Sequence, residues 1–185
     1  MKLKLFTFLL ASLAMNVAWA DEPPKPIRVL LIGNSQCPTI VGNQLLEKLA
    51  ASDKGGRPIK VGGCIKGGAS LRSHWDAGTG EGSARAMIAS GSWDFVVPIV
   101  DASYAYIRYF GDKPSTERLE SLFAKDRAHP GLWGSYLYSC MIYSVLTERS
   151  PIGLAAPETI PVDVAKTLQE TAWAQHQETA AALKK

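Results

Sequence analysis

Three short apolar runs, separated by segments of helix length, constrain the fold of this chain more than any other feature. They are Ile27–Ile32, Ile59–Ile65 and Trp93–Val100, and the first is followed directly by Gly33. Short and nearly continuous apolar runs suit strands that are buried on both faces of a parallel sheet. Because strands of this kind alternate here with helical segments, the sequence predicts an α/β fold with a small parallel sheet.

The segments between and after these runs carry helical patterns. Apolar residues keep helical spacing from Pro38 to about Ser52, and proline suits the first turn of a helix. After Asp101 the chain becomes mostly helical, with one strongly apolar segment and one amphipathic segment near the end. The further predicted helices are a turn at Ala69–Trp75 and the segments Ala84–Ala89, Pro114–Lys125, Leu132–Leu146 and Val162–Leu183.

The first twenty residues have the pattern of a secretory signal peptide. Met1–Ala20 combines two early lysines, the apolar stretch Leu5–Ala14 and the small-residue cleavage pattern Ala18-Trp19-Ala20. An uncleaved anchor is the alternative, although the apolar stretch is short for a stable transmembrane helix. The sequence therefore predicts export to the periplasm or the medium, no stable membrane span, and a single domain over residues 21–185.

Composition and charge exclude several classes of protein. The chain has 185 residues, of which 46% are apolar and 20% charged, so it is neither collagen-like, coiled-coil nor disordered. It contains 20 basic and 17 acidic side chains, and two of the basic ones are Lys2 and Lys4 of the signal peptide. No basic block or stripe is present, and we expect no nucleic-acid partner.

The three cysteines, Cys37, Cys64 and Cys140, are an odd number, which leaves at least one free thiol in an exported protein. Cys37 and Cys64 each stand near the end of a predicted strand, so a disulfide between them remains open. Cys140 falls in an apolar helix and is expected to be a small buried hydrophobe. No Cys or His cluster has the spacing of a zinc site, and the first strand is not followed by G-x-G-x-x-G. We therefore expect neither a metal nor a nucleotide cofactor.

One serine and one histidine have the positions that nucleophilic catalysis requires. Ligands of open parallel sheets bind beyond the carboxyl ends of the strands. Ser35 follows the first strand in a turn that leads into a helix, where backbone N–H groups stabilise an anion. Of the three histidines, His129 stands three residues after Asp126 between two predicted helices. This spacing lets the carboxylate orient the imidazole, so that its other nitrogen can accept the Ser35 proton.

Each of these residues also has a purely structural interpretation. Ser35 could cap the following helix, since serine is a preferred capping residue, and Asp126 could act as a cap or a solvated acid. His129 precedes a proline and could be an ordinary turn residue. His74, with Trp75, could line the cleft or pack locally.

Two further groups have mainly structural interpretations. His176 lies on the outer part of the last predicted helix and is expected to be solvated. Several aromatic residues follow Asp101, and we expect them to pack in the core, with a ligand-binding wall as the alternative. They are Tyr104, Tyr106, Tyr109 and Phe110.

Several motifs together resemble those of the SGNH/GDSL hydrolases. Gly33-Asn34-Ser35 is similar to the nucleophile block of this superfamily, and Asp126-x-x-His129 is similar to its last block. The glycine-containing segment Gly67–Trp75, with His129–Leu137 and Thr147–Leu154, resembles an exported and poorly described branch. The resemblance covers most of residues 27–175, with a gap in the middle.

The resemblance implies a fold and a chemistry. The fold is a three-layer α/β/α flavodoxin-like parallel sheet. Ser35 would be the nucleophile, with Asp126 and His129 as its triad partners. The backbone N–H groups of Ser35 and Gly68 would bind the oxyanion, with Gly67 as the alternative donor. The implied reaction is esterase-type hydrolysis of a small-molecule, carbohydrate or lipid ester without a cofactor. A histidine base acts only when neutral, so activity is expected to fall below about pH 6–7.

The chain departs from the family pattern in its middle. The G-x-N-D block that supplies an amide to the oxyanion hole is absent, since the mature asparagines, Asn34 and Asn43, both come too early. A strand–helix–strand portion is also missing, which predicts a small sheet with an exposed edge. Two alternatives therefore remain open: a degenerate binding or structural module that keeps the triad, and a deletion product that folds poorly.

Overall fold

Strand β1 (Ile27–Gly33) is the centre of a three-stranded parallel sheet in the order β2–β1–β3. The computed structural model describes residues 24–98, 103–111 and 121–184. Strand β2 (Ile59–Ile65) pairs with β1 along its whole length, so that Ile27 faces Ile59 and Gly33 faces Ile65. Strand β3 (Phe95–Pro98) is shorter and forms the other edge. The predicted α/β fold with a small parallel sheet is confirmed.

The alternation of side chains along β1 explains the layers. Val29 and Leu31 face a large core cluster, whereas Leu30 and Ile32 face a smaller cluster that includes Ala84. Because successive strand residues point to opposite faces, both sides of β1 must be covered. Helices therefore lie on both sides of the sheet, which agrees with the implied three layers, and the strand order is that of the first three strands of a flavodoxin-like sheet.

The structure gives bounds for seven helices, and no helix in the described residues is both long and apolar enough to cross a bilayer. Four lie between the strands and three follow β3. Their bounds are α1 Pro38–Gly42, α2 Leu45–Ala51, α3 Leu71–Asp76, α4 Ala84–Ser90, α5 Ser103–Phe110, α6 Leu132–Thr147 and α7 Val162–Ala182.

The structure differs from the sequence predictions at two helices. The helix predicted from Pro38 to about Ser52 is divided, because Gln44 adopts a left-handed conformation with φ 52°. The predicted helix end at Lys125 is wrong, since Phe123 already forms an antiparallel bridge with Pro130. Most of that predicted helix, the last two residues of the third apolar run and the predicted signal peptide lie outside the described residues. The third strand begins at Phe95 rather than at Trp93.

The loop closed by this bridge is fixed at both ends, and we refer to residues 123–130 as the bridged loop. The Ala124 N–H donates to the carbonyl of His129, and the Gly131 N–H donates to the carbonyl of Leu122, both at 2.8 Å. Helix α6 begins one residue later and passes close to Leu122, the residue before the bridge. A methyl group at Gly134 would overlap the Leu122 carbonyl oxygen. The bridged loop therefore rests directly on the first turn of α6.

A carboxylate joins the loop after α2 to the end of α6. Asp53 accepts two hydrogen bonds from the Arg149 guanidinium, at 2.6 and 2.9 Å, and one from the Tyr143 hydroxyl at 2.5 Å. Arg149 and then Tyr143 hold the pKa of the Asp53 carboxyl well below its usual range. This network ties α6 to the sheet side of the core.

Replacing Tyr143 with Phe is expected to lower the free energy of unfolding at pH 7 by about 1.5 kcal/mol, because a hydrogen bond to a charged group is lost. A lowered pKa in the folded state stabilises the protein above the pKa of the unfolded state, about 4 for Asp; this contribution declines as the pH falls below that value and is lost only when the pH reaches the lower pKa of the folded state. Guanidinium unfolding at pH 7 measures this difference, and the stability of the wild type should itself decline as the pH is lowered from about 5 to 2.5. Tyr136→Phe is the matched control, since the Tyr136 hydroxyl donates to the uncharged carbonyl of Ala155. A Tyr143→Phe chain as stable at pH 7 as the wild type would contradict the prediction.

Candidate active site

Ser35 lies in a tight turn between β1 and α1, at the carboxyl edge of the central strand. The side-chain Oδ1 of Asn34 accepts the Gln36 N–H at 3.0 Å, and the Asn34 carbonyl accepts the Cys37 N–H at 3.2 Å. These bonds fold the chain back immediately after Gly33. The capping position of α1 is occupied by Cys37, without a side-chain cap. The interpretation of Ser35 as a helix cap is therefore wrong.

Asp126 and His129 face each other within the bridged loop. One oxygen of Asp126, Oδ1, accepts the backbone N–H groups of Ala128 and His129, both at 3.0 Å. The other oxygen, Oδ2, accepts the His129 Nδ1–H at 2.7 Å. Asp126 thus shapes the turn and holds the imidazole at the same time, as the three-residue spacing predicts.

The two loops meet at the carboxyl edge of the sheet. The Ser35 hydroxyl lies 2.8 Å from His129 Nε2, although the two residues are 94 positions apart in the sequence. A second contact beside it joins the same loops, since Gln36 Nε2 donates to the carbonyl of Ala128 at 3.4 Å. Ser35, His129 and Asp126 therefore form a continuous hydrogen-bonded chain.

The charge on Asp126 fixes where the protons lie. The backbone N–H groups of His129 and Ala128, followed by the His129 imidazole, hold the pKa of Asp126 well below its usual range. An ionised carboxylate only accepts hydrogen bonds, so the proton of a neutral His129 is on Nδ1. Nε2 then has a free lone pair and accepts the Ser35 hydroxyl. This is the arrangement in which a histidine removes a proton from a serine.

Gly68 lies in the turn after β2, at the same edge of the sheet. Its φ of +67° favours glycine, and the preceding strand end, Ile65, pairs with Gly33 of β1. Among the described residues, no protein acceptor binds the backbone N–H of Ser35 or Gly68. These two groups can therefore bind a ligand, whereas the Gln36 N–H is engaged by Asn34.

No protein-family model, curated protein or solved structure matches this chain. Similarity to known proteins therefore assigns no function to the site, and its chemistry is inferred from its own atoms. Over the described ranges, no group of three or more His, Cys, Asp or Glu side chains is placed to hold a metal ion.

The other two histidines have structural contacts. His74 is only 4% exposed, and its Nε2 lies 2.9 Å from the carbonyl oxygen of Gly33. Its local-packing interpretation is therefore confirmed. The adjacent Trp75 is 59% exposed and carries the Arg85 guanidinium over its ring, 4.7 Å from the ring centroid. His176 lies on α7, where it stacks on Trp173, and is partly buried rather than fully solvated.

The aromatic residues that follow Asp101 pack into the core where their side chains are described. The ring of Tyr106 meets Phe123 and Tyr138 edge to face, with centroids 5.7 and 5.6 Å apart. Tyr109 is buried in the same core cluster. The side chain of Tyr104 lies outside the described residues. The core interpretation of this group is favoured over the ligand wall.

All three cysteines are free thiols. The disulfide between Cys37 and Cys64, which the sequence left as an alternative, is therefore not formed. The Cys37 sulfur lies against Gly33, whereas the Cys64 sulfur approaches His74 of α3. Burial raises the pKa of the Cys37 thiol and raises that of Cys140 to about 12. Cys140 is fully buried in α6, as the sequence predicts.

The surface around the triad is open. A depression of about 270 Å³ lies on the bridged loop and is lined by Phe123, Ala124, Lys125 and Arg127. A larger cavity of about 540 Å³ lies between α2, the start of α6 and residues 155–159, and none of the triad residues lines it. A ligand of the triad would therefore approach from the carboxyl edge of the sheet.

Sequence reasoning missed two groups that position the site. Gln36 bridges the two loops by donating to the backbone carbonyl of Ala128. Because every residue carries a backbone carbonyl, no sequence pattern indicates this partner. The turn around Ser35 was predicted, but the hydrogen bond by which the Asn34 side chain holds it was not; the preference of asparagine for such turns is the signal that could have indicated it.

Proposed function

We propose that this chain is an exported serine hydrolase of the SGNH/GDSL type that cleaves an ester. One observation carries the proposal: the hydrogen-bonded chain from Ser35 Oγ to His129 Nε2 and from His129 Nδ1 to Asp126 Oδ2, at 2.8 and 2.7 Å. A nucleophile, a base and a group that orients the base, each within hydrogen-bonding distance of the next, are what acyl transfer requires.

In the first half of the reaction, Ser35 Oγ attacks the ester carbonyl carbon while its proton moves to His129 Nε2. A bond forms between Oγ and carbon, and the carbonyl π electrons move to the oxygen. The imidazolium is stabilised by the ionised Asp126. When the tetrahedral intermediate collapses, the bond to the alcohol oxygen breaks, and His129 returns the proton to that leaving oxygen.

In the second half, a water molecule repeats these steps on the acyl-Ser35 ester. His129 takes a proton from the water, the hydroxide attacks the carbonyl carbon, and the bond to Oγ breaks. The proton on His129 then returns to Oγ, and the acid product leaves. The enzyme returns to its starting state, and the reaction uses no cofactor.

The charge on the tetrahedral oxygen is assigned to the backbone N–H groups of Ser35 and Gly68. Both lie at the carboxyl edge of the sheet, and neither is used by the folded protein within the described residues. Loss of one such donor costs about 10²–10³ in rate in enzymes of this type. The chain lacks the asparagine block of the family, so these backbone donors carry the whole stabilisation.

The substrate class and the location are also proposals. The family resemblance favours acyl esters of carbohydrates or lipids, and the open surface around Ser35 is compatible with a large alcohol group. The pattern in Met1–Ala20 favours cleavage near Ala20 and export to the periplasm or the medium.

A fluorophosphonate probe tests the activated serine without knowledge of the substrate. The probe forms a bond between Ser35 Oγ and phosphorus and releases fluoride, which requires the same base. We expect the purified mature chain to be labelled, and Ser35→Ala and His129→Ala to reduce labelling to background. Ser90→Ala, at an exposed serine at the end of α4, is the matched control and should leave labelling unchanged.

Absence of labelling in a chain shown by circular dichroism to be folded would overturn the hydrolase proposal. The degenerate binding or structural module would then be favoured, because such a module keeps the triad geometry without a working oxyanion site. Labelling that persists in Ser35→Ala would place the reactive serine elsewhere.

A further inference from the structure

A second nucleophile and base lie beside each other on the far side of β2 from α1. The Cys64 sulfur is 3.8 Å from His74 Nδ1, and the other ring nitrogen of His74 is 2.9 Å from the Gly33 carbonyl oxygen. Cys64 is the half-buried second-last residue of β2 and pairs with Ile32, and His74 comes from α3. The described triad uses neither residue.

The Gly33 carbonyl determines the tautomer of His74. A carbonyl oxygen can only accept hydrogen bonds, so the His74 Nε2 must carry a proton. In the neutral ring, Nδ1 then has a free lone pair, and this nitrogen faces the Cys64 thiol. The Gly82 carbonyl is a second acceptor, 3.6 Å from the sulfur, but it cannot take up the proton. Of the two partners of the Cys64 sulfur within the described residues, His74 is the one that can act as a base.

The surroundings hold the base and leave the thiol accessible. His74 is almost fully buried, and Ser70 and Ser73 lock the start of α3 through a reciprocal capping box. Cys64 is partly exposed. A nucleophile within reach of a base that a third group orients is the geometry of an activated thiol.

We propose that Cys64 is a modification site, a thiol activated by His74 that reacts with small soft electrophiles. With iodoacetamide, a bond forms between the Cys64 sulfur and the methylene carbon, and the carbon–iodine bond breaks. Iodide leaves with the electron pair of that bond, and the thiol proton moves to His74 Nδ1. The proposal is independent of the hydrolase proposal, because Ser35 takes no part in this step.

The other two cysteines provide internal comparisons. Cys37 and Cys140 are both buried, and burial raises the pKa of each thiol. Since the thiolate is the reacting form, both should react slowly in the folded chain. Cys64 is the cysteine with both access and a neighbouring base.

The first experiment uses the unmodified chain and compares native with unfolded protein. Alkylation by iodoacetamide at one pH is followed by mass spectrometry of the three cysteine peptides, without denaturant and in guanidinium chloride. A cysteine is never more exposed in the native chain than in the unfolded one. Differences in exposure can therefore only make its alkylation slower in the native chain. We expect Cys64 to react about tenfold faster in the native chain, and Cys37 and Cys140 to react more slowly there. A native Cys64 slower than the unfolded one would overturn the proposal.

The second experiment removes the base. In His74→Gln, the amide nitrogen can still donate to the Gly33 carbonyl, but no atom can take the thiol proton. We expect alkylation of Cys64 to slow at least about tenfold in this variant, since a positioned base typically contributes about 10²–10⁴-fold. His176→Gln on α7 is the matched control and should leave the rate unchanged. An unchanged or faster rate in a folded His74→Gln chain would overturn the assignment, and if this variant does not fold, the native-to-unfolded ratio decides.

Discussion

Replacing Asp126 with Asn is expected to slow fluorophosphonate labelling of Ser35 by about 10⁴-fold without unfolding the chain, as the same change does in serine proteases. The side-chain oxygen of Asn can still accept the N–H groups of Ala128 and His129, which preserves the turn. Its amide nitrogen, however, would face His129 Nδ1 and favour the tautomer with a proton on Nε2. Ser35 would then lose its acceptor.

The second-order rate constant of labelling, measured against time on gels, checks this prediction. Asp163→Asn, at an exposed position in the first turn of α7, is the matched control and should label at the wild-type rate. Asp126→Ala should lose both the turn and the orientation of His129. Its circular dichroism, compared with that of Asp126→Asn, separates loss of folded structure from loss of the orientation of the base. A rate for Asp126→Asn within tenfold of wild type would show that the carboxylate does not orient a working base.

Replacing Gly134 with Ala is expected to lower the free energy of unfolding by about 3 kcal/mol, the upper part of the range for overpacking. The new methyl group would overlap the Leu122 carbonyl oxygen, which belongs to the backbone and cannot rotate away. Relief requires α6 to move from the segment that leads into the bridged loop. Since that loop carries Asp126 and His129, labelling of Ser35 should fall as well.

Gly42→Ala is the matched control for this substitution. Gly42 also lies in a helix, but a methyl group there would meet no atom within 4 Å. Alanine is the better helix former by about 0.8–1.0 kcal/mol, so this variant should be neutral or slightly more stable. Chemical unfolding of both variants measures the two effects. Equal stabilities for Gly134→Ala and the wild type would show that the close approach at Leu122 is relieved without cost.

The strands and most helices were predictable because each depends on a local pattern. Ile59–Ile65 forms a strand with the predicted bounds, since its apolar run is short and ends among glycines. The break between α1 and α2 was not predictable, because the apolar spacing continues across it. The left-handed conformation of Gln44 places both helices on the core, and this is a consequence of packing. The bridge between Phe123 and Pro130 likewise depends on the start of α6.

The residues of the candidate site were predictable, but their supporting contacts were not. Ser35 and the Asp126–His129 pair stand out because each carries a local signal, a strand-to-helix turn and a three-residue spacing. The contact of His74 with Cys64 depends on the register that sets Cys64 opposite Ile32, and a strand with two adjacent glycines, as β2 has, specifies its register only weakly.

The hydrogen bond between Ser35 and His129 also links the site to the order of folding. Its partners are 94 positions apart, and the entropy of closing so long a loop must be overcome before they meet. The β1–α1 turn and the bridged loop are each held by bonds between residues close in sequence, and such local units form faster than distant contacts. During refolding, labelling of Ser35 by the fluorophosphonate probe should therefore begin only with the slowest ordering step. This step comes after collapse and after most of the helical circular dichroism signal has returned.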